Sequence, residues 1–292
     1  MSLWETIAAD IAAATGVRAE LEQHGSVGGG CINQAQRIRY GDTIYFVKLN
    51  SADQLDMFAA EAEGLEELRR CNDLRIPAPV CRGTDGSSAY LVMENLALGG
   101  RGDPAALGEG LASLHRITQA RFGWHRDNTI GSTLQVNTPN ADWIDFYRDH
   151  RLRFQLELAA RHGCPGRLVS QGERLLAGFH VLFDSYAPQP SLLHGDLWSG
   201  NQAYTSSGEP AIFDPAVYYG DREADLAMTE LFGGFGRDFY AAYNAAWPID
   251  PGYRTRKTLY NLYHIINHFN LFGGGYVSQA QGMIDTLLSE LK

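Results

Sequence analysis

The sequence predicts an α+β fold of two lobes, a small β-rich amino-terminal lobe and a larger, mainly helical carboxyl-terminal lobe. Short β-like runs punctuated by glycine fill much of the amino-terminal third, and helical patterns fill most of the remainder. Where the two meet, residues 99–104 read Gly-Gly-Arg-Gly-Asp-Pro, a composition that interrupts regular structure. We therefore predict an amino-terminal lobe over 1–96, a hinge over 97–103 and a carboxyl-terminal lobe over 104–292.

The amino-terminal lobe is predicted to begin with a helix and to continue with strands. Leu3, Ile7 and Ile11 recur at helical spacing, and Gly16 follows as a stop signal. The connector 76–79 is predicted to be extended, because each of its prolines restricts the residue before it. The other predicted elements are β-like runs around 28–30, at 35–40 and at 43–49, a helix at 53–70 and a buried strand at 88–93.

Helical periodicity dominates the carboxyl-terminal lobe, and one β-rich stretch interrupts it. This stretch, residues 192–213, contains the short apolar runs that are typical of buried strands. The predicted helices lie at 104–117, 140–162, 166–186, 222–232, 236–246, 252–272 and 276–291.

Size and charge narrow the classes of function. The chain has 292 residues and a mass of 32.2 kDa, enough for two lobes that each bury a core. Acidic residues outnumber basic ones by 34 to 24, the net charge is −10 and the sequence contains no Lys/Arg run, so we expect no nucleic-acid partner. No stretch approaches the roughly 18 apolar residues that a membrane span requires, so we expect no membrane partner.

The four cysteines indicate a reducing compartment. Cys31, Cys71, Cys81 and Cys164 are scattered and form no CxxC pair, which favours neither a disulfide framework nor a zinc site. We therefore expect a cytoplasmic protein. The sequence does not indicate its oligomeric state.

The β-rich stretch carries the residues that best indicate chemistry. Asp196 follows a predicted strand, Asn201 lies five residues later, and Asp214 ends a second strand thirteen residues further on. Such oxygen ligands suit Mg²⁺, which leaves its other positions to water and substrate phosphates. The spacing is that of protein kinases, in which the first Asp accepts the proton of the substrate hydroxyl while the Asn and the second Asp hold metal. We predict a catalytic role for Asp196 and metal binding by Asn201 and Asp214.

A glycine run in the amino-terminal lobe is a candidate phosphate-binding loop. Gly28, Gly29 and Gly30 would let backbone N–H groups approach phosphate oxygens closely. The run is neither a Walker A loop nor a dinucleotide motif, and a hairpin turn explains it equally well. Cys31 follows directly, so we also consider that its oxidation blocks nucleotide binding, against the alternative that it is an inert small residue.

Lys48 lies in an apolar β run and is a candidate ligand of the nucleotide phosphates. Phe58, Glu61 and Leu65 form one stripe on the following helix, so Glu61 is the expected partner of Lys48. Glu63, the competing partner, lies nearly opposite and is expected to face water.

The end of the amino-terminal lobe could contact the base of a nucleotide. The backbone groups of Glu94 and Leu96 follow a predicted buried strand, and we expect them to contact an adenine edge.

The chain resembles a known family over nearly its whole length. Residues 193–201, Leu-His-Gly-Asp-Leu-Trp-Ser-Gly-Asn, and the run from Phe213 to Thr229 are similar to the fructosamine/ketosamine 3-kinases. This family is part of the aminoglycoside-phosphotransferase and choline-kinase superfamily, whose fold is protein-kinase-like. The resemblance implies ATP- and Mg²⁺-dependent phosphorylation of the 3-hydroxyl of a ketoamine such as a fructosyl- or ribulosyl-amine, a deglycation activity.

The resemblance also suggests supporting and acceptor-binding residues. Asp225, at the start of an apolar helix, is expected to accept backbone N–H groups from the catalytic loop, and His194 to support that loop. Trp198, Tyr218 and Tyr219 are candidates for the acceptor pocket, because an aromatic face suits a sugar or a cationic amine. Ordinary packing explains these three rings equally well.

Three further histidines invite weaker interpretations. His264 and His268 lie four residues apart, which suits a metal in principle, although packing is the favoured interpretation. His115 is interpreted as a helix-end or interface residue.

Two alternatives to a ketosamine kinase stay open. One is a kinase of the same fold that acts on an aminoglycoside, choline or homoserine; the net charge of −10 would suit a polycationic acceptor. The other is an ATP-binding scaffold without turnover. The runs 198–200 and 214–216 favour the ketosamine kinase, but the sequence does not choose the sugar or decide whether the adduct is free or protein-bound.

Overall fold

The computed structural model describes residues 2–27 and 33–291, which divide into two compact units. The first comprises Met1–Gly102 with Ala203–Pro215, and the second comprises Asp103–Gln202 with Ala216–Lys292. Segment 203–215, which the sequence-based limits assign to the carboxyl-terminal lobe, thus belongs to the first unit. Two backbone hydrogen bonds hold it there: Arg75 N–H donates to Pro210 O at 2.8 Å, and Ile212 N–H donates to Arg75 O at 3.1 Å.

The first unit is built on a five-stranded antiparallel sheet with strand order β1-β2-β3-β5-β4. Helix α1 begins with a capping box between Ser2 and Glu5 and ends at Gly16, whose φ of 74° suits glycine. The elements are α1 (Leu3–Thr15), β1 (Leu21–Val27), β2 (Gln34–Tyr40), β3 (Thr43–Ser51), α2 (Leu55–Leu68), β4 (Pro79–Thr84) and β5 (Ser88–Glu94).

Alternation along the strands divides this sheet into two buried faces. Val47 and Leu49 of β3 join Tyr90 and Val92 of β5 in one core cluster, which Ile7 and other α1 residues complete. Lys48, between two members of that cluster, therefore points to the opposite face, because successive side chains of a strand alternate. That face is covered by α2, so the strand register decides that Lys48 meets the helix.

The second unit is mainly helical, with two short pairs of strands. Its helices are α3 (Pro104–His115), α4 (Trp143–Tyr147), α5 (Phe154–Arg161), α6 (Gly166–Gly178), α7 (Glu223–Leu231), α8 (Arg237–Ala246), α9 (Tyr253–Phe272) and α10 (Tyr276–Glu290). Strand β6 (Asn128–Ile130) pairs with β7 (Thr133–Gln135), and β8 (Ser191–Leu193) pairs with β11 (Tyr218–Gly220). The remaining pair, β9 (Gln202–Tyr204) and β10 (Pro210–Ile212), lies mostly in segment 203–215.

Helix α7, which carries Asp225, is held by buried charges. The Arg256 guanidinium binds both carboxylate oxygens of Glu223, at 2.7 and 2.9 Å, and both side chains are almost fully buried. Asp221, just before the helix, accepts hydrogen bonds from the hydroxyls of Tyr186 at 2.8 Å and Tyr260 at 2.5 Å. These contacts fix the amino-terminal end of α7.

The structure differs from the predicted elements where local geometry interrupts a pattern. The predicted helix 140–162 is divided by a π-helical turn, Arg148–Arg153, which rotates the chain so that Arg151 faces the core. The β-rich stretch was predicted to end at residue 213, but a further strand, β11, follows it and pairs with β8. Strands β1, β4, β6 and β7 were not predicted, because runs this short or this polar carry no clear period of two. The β-like run around 28–30 lies outside the described residues.

None of the described helices is both long and apolar enough to cross a membrane.

The buried histidine of α9 predicts a pH-dependent stability. Burial, followed by the neighbouring His268, lowers the pKa of His264 to about 3. An unfolded histidine takes up a proton below its ordinary pKa of about 6.5. The unfolded state then binds more protons than the folded state, so the free energy of unfolding falls as the pH drops below about 6.5. Between pH 7 and pH 5 this one group accounts for a loss of about 2 kcal/mol.

We expect His264→Gln to remove that part of the pH dependence, as measured by urea unfolding at pH 7 and pH 5. His162→Gln, at an exposed site, is the matched control. This account is contradicted if the free energy of unfolding changes by the same amount between pH 7 and pH 5 in wild type and in His264→Gln.

Candidate active site

The loop that follows β8 carries Asp196, the predicted catalytic residue, and depends on a glycine. Gly195 has a φ of 83°, and a Cβ there would lie 2.0 Å from the carbonyl oxygen of Ala216. Only glycine fits this close approach. The amide of Ala216 in turn donates to His194 O at 2.9 Å, so the loop and the segment after Pro215 are packed backbone to backbone.

Asp225 holds the start of this loop from the side of α7. Its carboxylate accepts the N–H groups of His194 at 2.7 Å and Gly195 at 2.8 Å, which confirms the contact predicted for Asp225. Nε2 of His115 lies 3.1 Å from the same carboxylate, and Nδ1 of His115 lies 2.8 Å from the Tyr243 hydroxyl. Burial alone would raise the pKa of Asp225, but the hydrogen bond and charge of His115, together with the Gly195 N–H, hold that pKa below its ordinary value. An ionised acceptor therefore sits beneath the loop.

His115 is thus more than a helix-end or interface residue, and sequence reasoning missed its place under the loop. Its contact partner Tyr243 lies 128 residues away in the chain. No spacing signal connects residues so far apart.

Asp196 and Asn201 are brought together within the loop. The Asn201 side-chain amide donates from Nδ2 to Asp196 O at 2.9 Å and to Asp196 Oδ2 at 3.3 Å. Nδ1 of His194 accepts the Asp196 N–H at 3.2 Å, which supports the loop as expected for this histidine. Because Asn201 uses its nitrogen toward Asp196, its oxygen is the atom through which this residue would bind the predicted metal.

The second group of predicted residues meets in the first unit. Lys48 Nζ lies 2.5 Å from Glu61 Oε1 and 2.7 Å from Asp214 Oδ1. The predicted pairing of Lys48 with Glu61 is confirmed. Glu63, the competing partner, instead has its Oε1 3.8 Å from Nη2 of Arg82. Burial alone would lower the pKa of Lys48, but the Asp214 and Glu61 carboxylates raise it above its usual range, so the side chain is a fixed cation.

Asp214 has an unusual backbone. Its φ of 58° is the only positive value at a non-glycine position within 2–27 and 33–291. Such a conformation costs of order 1 kcal/mol or more and is concentrated at functional sites. Nearly half of its side chain is exposed, so its carboxylate can reach a ligand as well as Lys48. Sequence reasoning identified this residue but had no signal for its strained backbone.

The proposed adenine contacts lie at the end of β5. The Glu94 N–H donates to Ala78 O at 2.8 Å. The carbonyl is therefore the backbone group of Glu94 that would contact an adenine edge. The Leu96 carbonyl accepts the N–H of Leu98 at 3.0 Å, so for Leu96 the suited group is the N–H. Gly28, Gly29, Gly30 and Cys31 lie outside the described residues.

The three aromatic candidates for the acceptor pocket fall into two environments. Tyr218 and Tyr219 are buried in β11, and the Tyr218 ring packs on the Arg151 guanidinium at 4.2 Å. Trp198 is 38% exposed and makes an edge-to-face contact with Phe232, which in turn packs on His268. Trp198 is therefore the ring that can offer a face to an acceptor, and burial leaves little of either tyrosine for one.

Within the described part of the chain, no three His, Cys, Asp or Glu side chains gather as a metal site. His264 is buried, and His268 Nδ1 lies 2.8 Å from His264 O. Both histidines are thus placed by packing and backbone contacts.

The fold and these residues define the class of protein. A buried lysine–glutamate pair beneath a five-stranded sheet, a loop that joins Asp196 to Asn201 and a further aspartate after a strand are the parts of an ATP-dependent phosphotransferase of the protein-kinase-like fold.

Within this class, the family model of fructosamine kinase matches residues 3–290, and the chain belongs to the fructosamine kinase family. It is 49% identical to a probable ketoamine kinase of Synechocystis, over 98% of this chain and 97% of that protein. It is 45% identical to the chloroplastic protein-ribulosamine 3-kinase of Oryza sativa subsp. japonica, over 91% of this chain and 79% of that protein. A solved structure from Haemophilus somnus, assigned as a fructosamine-3-kinase, is similar with a TM-score of 0.89 at 28% identity, covering 98% of this chain and 97% of that one.

The buried ion pair predicts a separation of stability from activity. We expect Lys48→Met to lower the free energy of unfolding by about 3 kcal/mol, because it leaves a buried carboxylate without its cation. Adding Glu61→Gln should restore most of that stability, but not ATP-dependent turnover, since the cation is still missing. Urea unfolding and ADP release measure the two effects.

Glu63→Gln, combined with Lys48→Met, is the control for this experiment. We expect it to restore no stability, because Glu63 lies beside Arg82. The assignment of the pair is wrong if Glu63→Gln restores stability as well as Glu61→Gln does.

Proposed function

We propose that this protein transfers the γ-phosphoryl group of ATP to the 3-hydroxyl of a ketoamine, of the fructosamine or ribulosamine type, as a deglycation activity. The observation that carries the proposal is the loop in which Asn201 and His194 orient Asp196 while Asp225 holds the backbone. The names of the relatives, a ketoamine kinase and a protein-ribulosamine 3-kinase, support the acceptor. The reaction is assigned to the cytoplasm, as the scattered cysteines predict.

Asp196 acts on the acceptor hydroxyl. Its half-buried carboxylate accepts the hydroxyl proton as the hydroxyl oxygen bonds to the γ-phosphorus, while the bond from that phosphorus to the bridging oxygen breaks and ADP leaves. Asn201 keeps one of the carboxylate oxygens in place. Phosphoryl transfer depends mainly on positioning and on neutralising charge, so one oriented carboxylate is sufficient for this step.

Lys48 binds the phosphates as a fixed cation. Glu61 holds its ammonium group from the helix side, so the lysine does not lose side-chain freedom again when the nucleotide binds. The predicted N–H groups of Gly28, Gly29 and Gly30 would cover the phosphates, and the backbone of Glu94 and Leu96 would contact the adenine.

Asn201 and Asp214 would hold Mg²⁺. Their oxygens fit this ion: the Asn201 amide turns its nitrogen toward Asp196, and the Asp214 carboxylate is nearly half exposed. When bound, the ion would neutralise the charge on the phosphates. The contact of Asp214 with Lys48 keeps the carboxylate in place near the lysine.

Trp198 is the proposed acceptor contact. It lies two residues after Asp196, and its exposed ring suits the C–H face of a sugar or a cationic lysyl amine. Tyr218 and Tyr219 would act through packing beneath the loop rather than through direct contact.

An acceptor panel tests the proposed function. With Mg-ATP, we expect ADP release with ribulosyl-lysine or fructosyl-lysine above the rate without acceptor, and no such increase with kanamycin or choline. An increase confined to kanamycin or choline would keep the phosphotransferase and discard the ketoamine. ATP binding with no increase for any acceptor would favour a scaffold.

Asp196→Asn tests the catalytic assignment. We expect kcat to fall by at least about 10²-fold while ATP affinity changes little, because the lost group acts in the transition state. Asp184→Asn, at an exposed site of the same unit, should leave kcat unchanged. A near-normal kcat in Asp196→Asn would remove this residue from the mechanism.

A further inference from the structure

A buried polar network in the second unit takes no part in the mechanism described so far. Its members come from the β6–β7 hairpin, the segment directly after β7, the π-helical turn and α9, and each is at most 8% exposed. They are Asn128, Gln135, Asn137, Arg151 and Tyr263. Buried amides and cations are costly unless their hydrogen bonds are made, so a network of this size calls for an explanation.

The network binds the two backbone carbonyls that follow Pro215. Gln135 Nε2 donates to Ala216 O at 3.0 Å, and Asn128 Nδ2 donates to Val217 O at 2.8 Å. Asn128 and Gln135 are direct cross-strand partners in the hairpin, and Gln135 Nε2 also donates to Asn128 Oδ1 at 2.9 Å. The hairpin thus presents two adjacent donors to two successive carbonyls.

The direction of every hydrogen bond in this network is determined by its ends. Arg151 can only donate, so the Asn137 oxygen accepts from it at 2.7 Å. The Asn137 nitrogen then donates to Asn128 Oδ1 at 2.9 Å, which turns the Asn128 nitrogen toward Val217 O. Ala216 O and Asn128 Oδ1 can only accept, so the Gln135 nitrogen faces them and the Gln135 oxygen accepts the Tyr263 hydroxyl at 2.9 Å. None of the three side-chain amides of this network can flip without losing a hydrogen-bond partner.

Arg151 is the buried donor at one end. It is fully buried, its guanidinium lies 4.2 Å from the centre of the Tyr218 ring, and it also donates to Val136 O at 2.6 Å. Tyr218 is the next residue after the two bound carbonyls. The Arg151 cation therefore contacts both the residue that follows β7 and β11, the strand that begins after the two carbonyls.

The bound carbonyls belong to a segment that also packs on the catalytic loop. Ala216 donates its N–H to His194 O at 2.9 Å, and its carbonyl lies where a side chain at position 195 would be. The same segment starts two residues after Asp214 in the chain. Asp225 holds the loop from α7, and the hairpin holds the segment against which the loop packs.

We propose that Gln135 and Asn128 are positioning residues for phosphoryl transfer, acting on Asp196 through the carbonyls of Ala216 and Val217. This inference rests on the proposed function, in which Asp196 orients the acceptor hydroxyl. Loss of either donor leaves the folded chain able to bind its substrates but displaces the loop that carries the carboxylate. Small displacements of a reacting group cost large factors in rate.

Gln135→Met tests the proposal, with Asn261→Leu as the matched control. Asn261 is also a buried amide of the second unit, and its Oδ1 has no hydrogen-bond partner within the described residues. Gln135→Met should lose stability. We expect kcat with ribulosyl-lysine to fall about 10- to 100-fold in Gln135→Met, with KM for ATP and acceptor within about threefold, and to stay within about twofold of wild type in the control.

Gln135→Glu adds a pH profile that a merely structural role would not produce. The variant keeps an oxygen for Tyr263, but its ionised carboxylate cannot donate to Ala216 O. When protonated, its hydroxyl can donate again, so we expect its kcat relative to wild type to rise as the pH is lowered from 8 to 6. Asn261→Asp should show no such rise relative to wild type.

Amide hydrogen exchange separates failure of this proposal from failure of the proposed function. In Gln135→Met, we expect faster exchange in peptides covering 191–201 and 216–220 than in Asn261→Leu. Equal kcat and equal exchange in the two variants would overturn the positioning role. If wild type turns over no ketoamine, the proposed function fails, and the exchange comparison alone decides whether the hairpin positions the loop.

Discussion

The loop that carries Asp196 depends on one buried carboxylate. Asp225 accepts two successive backbone N–H groups, those of His194 and Gly195, and a backbone held at two adjacent amides has little freedom to rotate. These two hydrogen bonds hold the sharp turn at Gly195, and the turn sets the direction in which the Asp196 side chain leaves the backbone. The charges at Asp221 and Glu223 serve the same end, because they fix the start of the helix that carries this carboxylate.

Three arginines of the second unit are buried and donate hydrogen bonds within it. Arg256 meets carboxylates, whereas Arg222 donates to the Tyr243 hydroxyl and to the carbonyls of Trp247 and Pro248, and Arg151 donates to carbonyl and amide oxygens. A guanidinium has donors and no acceptor, so Arg222 and Arg151 orient the neutral groups beside them, whereas Arg256 pairs with carboxylates. At the first two positions, the buried cation determines the direction of the hydrogen bonds around it.

The sequence predicted the parts of the site that are close together in the chain. Asp196 and Asn201 are five residues apart, and Lys48 and Glu61 lie on a strand and the helix that follows it, so periodicity alone selected Glu61 over Glu63. The fold class also followed from local patterns and a glycine-rich break, and the assigned family agrees with it.

Contacts between distant parts of the chain were not predictable in this way. Gln135 meets Tyr263 across 128 residues, and its hairpin has strands of only three residues, too short for a period of two to be recognised. Arg151 lies in a helical pattern that looked continuous, and only the π-helical turn directs it inward. The strained backbone of Asp214 has no counterpart in residue type, because it arises from what surrounds the residue.

The chain passes from the first unit to the second, back to the first for segment 203–215, and then to the second again, which limits how the gene can be divided. A fragment ending at Gly102 would lack segment 203–215, and both backbone groups of Arg75 that pair with Pro210 and Ile212 would lose their partners. The complementary fragment would carry that segment without its sheet. An exchange of lobes between relatives must therefore transplant two separate stretches of sequence together, and a chimera joined at the glycine-rich break alone would combine mismatched parts of one unit.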